Sequence, residues 1–149
     1  RSRMAIGDVT QVVTGSLYRV ELLASATATN GAPSGASAGL DVNALRGLGS
    51  IPTTVGLEIV STAGSGTMTA TYRIWGYGSD WIPLGTGGTG TTKGTPNSGS
   101  ADTEASTDVL RHAETLNYPG LFSRLYLEIT AIGGTATAVT GYIRVCRGL

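Results

Sequence analysis

The residues able to do chemistry in this chain are few and poorly placed for one another. There is one histidine, His112, and one cysteine, Cys146. With a single cysteine, neither an intrachain disulfide nor a multi-cysteine metal site can form. Cys146 closes an alternating apolar run, where a thiol serves as a small buried hydrophobe; nucleophilic use would require His112 beside it. His112 lies between Asp108 and Glu114, so fragments of a catalytic triad are present. No serine, however, occupies a nucleophile elbow in a strand-to-helix turn. Asp102, Glu104 and Asp108 alternate with hydroxyl residues and offer oxygen atoms of the kind calcium takes. The stretch lacks the turn glycine of a calcium loop and reads as a solvated acidic edge. Gly85, Gly87 and Gly90 match G-x-G-x-x-G, but that motif cradles phosphate only between a strand and a helix, and here threonines follow. The sequence predicts no catalytic residue, no cofactor and no metal.

Aromatic residues are the stronger signal. "YRIWGYGSDWIPL" holds Tyr72, Trp75, Tyr77 and Trp81 within one short stretch. Flat ring faces in such a cluster suit stacking on sugar rings. The competing reading is ordinary packing, with Tyr72 on the core face and a tryptophan closing the end of the fold. Ten basic and ten acidic residues cancel, so no net field draws nucleic acid or an anionic membrane. Arg73, Arg124 and Arg144 are scattered and form no basic groove of the kind single strands need. Arg1 and Arg3 are the nearest approach to a basic patch and read as a solvated tail. Only 13% of residues are charged, well below the usual quarter, so Thr, Ser and Gly must make up much of the surface. Such a surface suits a β-protein packed against neighbours more than a freely diffusing monomer.

The elements that would position these residues are strands. In "TMTATYRIW" Met68, Ala70, Tyr72 and Ile74 fall on one face, with Arg73 and Trp75 on the other. In "RLYLEITAI" Leu125, Leu127 and Ile129 turn inward, with Tyr126, Glu128 and Thr130 outward. Gly133 and Gly134 then read as the turn of a β-hairpin into "TATAVTGYIRVCR", and "AGSG" at 63–66 as a second hairpin turn. "SLYRVELLA" and "TVGLEIVST" read as further strands. "GLDVNALRGLG" permits one or two helical turns with Asp41 as N-cap. "STDVLRHAETL" suits a short helix and a strand about equally. The expected fold is all-β: a single two-sheet sandwich of about eight strands, jelly-roll-like, with at most one or two short helical turns.

Between the aromatic stretch and the second half runs a Gly/Thr/Ser segment, about 85–107. As a linker it would leave two firm strands to stand alone as a domain, and an isolated hairpin cannot bury enough surface. It is expected to be an excursion from one domain spanning 1–149. Two other soft segments are an N-terminal arm, about 1–14, and residues 25–39. "RSRMAIGDVT" has neither the apolar stretch nor the cleavage site of a signal peptide, and no run is long enough to span a membrane as a helix. The chain opens on Arg1, which points to residues missing upstream.

"TATYRIWGYGSDWIPLGTG" (69–87), the soft segment after it, and "YPGLFSRLYLEITAIGGTATAVTGYIRV" (118–145) resemble the small all-β virion proteins of tailed bacteriophages, most of all capsid decoration (cement) proteins. The resemblance covers roughly the second half of the chain. It implies a non-enzymatic protein on the capsid exterior, made in the host cytoplasm, that binds the major capsid protein and itself, with a trimer favoured. The contact candidates are then Arg1, Arg3 and Ile6 in the arm, Trp75, Tyr77 and Trp81 in the aromatic stretch, and Lys93 and Pro96 in the long loop. A phage tail or head–tail structural role is the first alternative. A carbohydrate-binding or adhesion module using Trp75, Tyr77 and Trp81 is the second.

Overall fold

Alternation of apolar and polar residues places strands over most of the chain, and two of them are far longer than the rest. The computed structural model describes residues 5–13, 17–26, 29–46, 48, 54–84, 109–117 and 121–146. In chain order the elements are β1 (Val9–Val13), β2 (Leu17–Ala26), β3 (Leu40–Asp41), α1 (Asn43–Arg46), β4 (Thr54–Tyr77), β5 (Trp81–Leu84), β6 (Val109–Asn117) and β7 (Arg124–Cys146). The protein is an all-β, two-sheet sandwich, with almost no helix among the described residues.

β4 has 24 residues and β7 has 23, and they pair antiparallel from Gly56↔Arg144 to Tyr77↔Arg124. Fully extended, each would run about 80 Å. A domain of this length is only roughly 40 Å across. The ladder must therefore bend, and its register shows where. Between Ala63 and Met68 four residues of β4 face a single residue, Thr135, of β7. Such an excess bends the longer strand and sharpens its twist, which is how strands pass from one sheet to another. One half of the ladder carries β6 on one side and β2 then β1 on the other. The other half carries β5 and β3.

Two sequence expectations are corrected here. Neither Gly133–Gly134 nor residues 63–66 form a hairpin turn; both strands run on through them. Met68↔Gly134 and Thr69↔Gly133 are cross-strand partners, so the glycines of the two strands meet at one shared corner. Local pattern cannot distinguish a glycine pair that reverses a strand from one that lets it bend. The N-terminal arm is also partly ordered, because Val9–Val13 is a strand hydrogen-bonded to β2. "STDVLRHAETL" is resolved in favour of a strand over Val109–Asn117.

The inward residues are those the alternation selects. Tyr72, Ile74, Leu125 and Ile129 are fully buried, and Leu127 nearly so. Val20, Leu22, Leu57, Val139 and Ile143 come from the opposite sheet. The sheets touch where Leu127 packs onto Gly141, whose missing side chain makes the room. One extra residue in β2 between Glu21 and Leu23 turns both Leu22 and Leu23 inward. α1 is one turn, capped as expected: Asp41 Oδ1 accepts from Asn43 N at 2.9 Å. It brings Leu45 to the core edge beside Val42. β5 and β6 both pair with the same edge of β4, one on each half of the ladder, so the strands before and after residues 85–108 both join β4. The long loop itself lies outside the described residues.

Gly39 sits at φ +73°, and a Cβ there would strike the Leu125 carbonyl oxygen. Gly35, at φ +80°, has open space around it. Gly35→Ala should cost only the left-handed penalty, about 1 kcal/mol. Gly39→Ala should cost roughly 3 kcal/mol, since main chain must also move. Urea denaturation of the two variants checks the difference; equal losses would rule out the close approach at Gly39.

Candidate interaction surface

The outward residues of the β4–β5–β7–β3 sheet form a polar-aromatic face. Cross-strand register sets Arg73 opposite Glu128, Trp75 opposite Tyr126 and Tyr77 opposite Arg124. The β4–β5 hairpin turns over Gly78, Ser79 and Asp80 and returns Trp81 opposite Tyr77, as the Gly- and Asp-rich turn predicts. Tyr77 and Trp81 have ring centroids 5.1 Å apart at 57°, and Trp81 meets Tyr126 edge-on at 6.0 Å and 65°. The Trp75 indole N–H donates to Glu128 Oε1 at 2.8 Å. The Arg73 guanidinium lies 5.8 Å from the Trp75 ring centroid and 4.0 Å from the same carboxylate. All these rings are half-buried. Burial, and secondarily the Glu128 carboxylate, push the Tyr126 phenol above its ordinary value.

Residues 29–39 are bonded across one end of this face. The Asn30 side chain acts as a short stand-in for a neighbouring strand: Nδ2 donates to the Leu127 carbonyl at 3.0 Å, and Oδ1 accepts from Ile129 N at 2.7 Å. It continues along β7 from the point where β3, paired at Arg124 and Leu125, leaves off. Arg124 donates to the carbonyls of Ser37, Ala38 and Gly39 at 3.0, 2.6 and 2.9 Å. The Trp81 indole N–H donates to the Gly35 carbonyl at 2.8 Å, and the Tyr126 hydroxyl to that of Gly31 at 3.0 Å. This part of the segment expected to be soft is thus fastened to the sandwich. Sequence reasoning missed Asn30 and Arg124. The signal was the glycines at 31, 35 and 39, all with positive φ, marking a chain that winds closely over something.

That segment also settles a motif. Gly35–Gly39 spells G-x-S-x-G. A nucleophile elbow needs a strand before it and a helix after it. Here irregular chain precedes Ser37 and β3 follows, while the Ser37 carbonyl is held by Arg124.

A second surface is the outer edge of β1, which ends the sheet. Val9 and Val12 are 45% and 43% exposed, and Ile6 in the turn before them is 41% exposed. The strand reads Val-Thr-Gln-Val-Val, with no charge and no proline to discourage a further strand. Of the residues expected to make contacts, the structure brings Tyr77 and Trp81 together, sets Trp75 with Arg73 and Glu128, and leaves Ile6 on the β1 edge. Arg1, Arg3, Lys93 and Pro96 lie outside the described residues, as do the side chains of His112, Glu114 and Cys146. Among the described residues no group of three or more His, Cys, Asp or Glu is gathered to hold a metal, and no helix is long and apolar enough to cross a membrane. No family model matches the chain, and no curated protein or solved structure matches it.

Asn30→Ala removes both partners of the β7 main chain at Leu127 and Ile129. It should lower stability by about 1–2 kcal/mol. Hydrogen exchange should show protection lost first at the Ile129 amide; unchanged protection there would mean that water replaces the side chain at no cost.

Proposed function

We propose that this chain is a non-enzymatic structural protein of a virion, of the capsid-decoration kind, which binds the major capsid protein and further copies of itself on the shell exterior. The observation that carries this reading is the uncharged edge of β1, open among the described residues and flanked by Ile6, Val9 and Val12. An open edge offers a row of main-chain donors and acceptors to an added strand, and exposed apolar side chains beside it add contact area. Repeated over a lattice, modest contacts of this sort give high avidity. The low charge and the resemblance of residues 69–87 and 118–145 to decoration proteins support the same reading.

The aromatic face gives weaker support to a glycan platform. Its rings are tilted by 57° and 65° to one another, and both indole N–H groups are committed to groups within the chain. Packing that fastens residues 29–39 accounts for them. Titration with soluble oligosaccharides should leave tryptophan fluorescence unchanged, whereas a saturable shift would move the reading to a carbohydrate-binding module.

Light scattering after size exclusion should show a homo-oligomer, and the protein should sediment with shells stripped of it. Val12→Lys, at an exposed position, should keep the fold by circular dichroism and weaken sedimentation at least tenfold. A strict monomer that ignores shells would overturn the proposal. Normal shell binding by the variant would remove the β1 edge from it.

A further inference from the structure

Among the described residues Glu21 is the only charged side chain that is buried, at 3% exposure. It stands at the base of β1. Glu21 N donates to the Asp8 carbonyl at 2.9 Å, and Gly7 N donates to the Glu21 carbonyl at 2.8 Å. Asp8 is itself held in a tight turn: Asp8 N donates to the Ala5 carbonyl at 2.9 Å, and Oδ2 accepts from Ala5 N at 2.7 Å. Two acidic residues therefore sit across one strand pair at the point where β1 begins. Like charges directly opposite each other destabilise such a pair.

The other groups around Glu21 do not simply neutralise it. Arg19, two residues back on β2 and on the same side of the strand by alternation, has its guanidinium 4.2 Å from the centroid of the Tyr142 ring. Tyr142 is the register partner of Glu21 on β7, and Arg144 that of Arg19. Beyond Tyr142 the next residue in register is another acid, Glu58 of β4. The neighbouring register positions thus hold the acid Asp8 and two arginines, one of them stacked on a tyrosine.

We propose that Glu21 and Asp8 form a proton-controlled latch for β1: with a proton on Glu21 the edge strand stays on β2, and with both carboxyls ionised its base is driven off. Burial pushes the Glu21 carboxyl up from 4.5 to about 7; Arg19 opposes the rise and Asp8 adds to it. A docked strand then holds the proton more tightly than a released one. The latch is strongest below about pH 4.5, weakens as pH rises towards 7, and changes little above it. What is released is the segment bearing Ile6, Val9 and Val12, so neutral pH would free the apolar strand for a neighbour. That last step rests on the docking role proposed above; the latch does not.

Hydrogen exchange on the isolated chain tests the latch. Protection factors, corrected for intrinsic exchange, should fall at Gly7 and along β1 on the order of a hundredfold between pH 5 and pH 8. Amides of β7 between Arg124 and Ile129 should change far less. Glu21→Gln should abolish the pH dependence at β1, and Asp8→Asn should reduce it. Carbon-13 titration of the Glu21 carboxyl in the unaltered chain should give a midpoint near neutrality. A midpoint in the ordinary carboxylate range, or a β1 protection that ignores pH, would overturn the latch, whether or not the glutamine variant folds. Shell sedimentation at the two pH values separates the ideas. A working latch with pH-independent binding would sink the docking role and leave the latch standing.

Discussion

The constraint on which the rest of the fold depends is the length of the β4–β7 ladder. Two strands that pair along more than twenty residues each are too long to stay flat inside a domain of this size, so they fold over on themselves. Once they bend, one pair of strands supplies the centre of both sheets. Every other strand joins a half of it: β6, β2 and β1 one half, β5 and β3 the other. The core follows, because inward residues of the two halves of the same strands come face to face, as Leu127 does with Gly141. A hairpin-by-hairpin sandwich would join its sheets through loops. Here they are joined by continuous main chain, and the glycines at 64, 66, 133 and 134 are concentrated at that crossing.

The surfaces follow from the same arrangement. Alternation along β4 and β7 puts Arg73, Trp75, Tyr77, Tyr126 and Glu128 on the outer side of one sheet, where residues 29–39 are bonded across part of them. In the other sheet the order ends at β1, whose partner on one side is β2 and whose other side meets no further strand among the described residues. The aromatic residues are thus largely engaged within the chain, and the plain Val-Thr-Gln-Val-Val strand offers an uncharged edge outward.

Much of this was legible in the sequence wherever a residue's fate depends on its near neighbours. The inward set Leu125, Leu127 and Ile129, the burial of Tyr72 and Ile74, the Asp41 cap and the β4–β5 turn all follow from period or local chemistry. What failed was pairing. Gly133–Gly134 has every local mark of a hairpin turn, and only its partner sixty-odd residues away on β4 shows that it is not one. The same limit hid Asn30, whose partners are Leu127 and Ile129, and Arg124, whose partners are Ser37 to Gly39. Glu21 was hidden for a different reason: an acid between Val20 and Leu22 reads as the wet face of an alternating strand, and nothing local reports that this face is closed.

The bent ladder also governs how the chain can be made. β7 is the last described strand to leave the ribosome, and it is the inner partner of β2, β3 and β4. Until it is synthesised, neither sheet has its middle, and β2 and β4 cannot be bridged. Even the nearest pair of the β4–β7 ladder, Tyr77 and Arg124, closes a loop of nearly fifty residues before any of its bonds repays the cost. Assembly of this sandwich therefore waits for β7 and is slow for its size. Throughout that interval β1 and β2 have only each other, with no β7 to join, which makes nascent chains, more than finished ones, the state most exposed to pairing with the wrong neighbour.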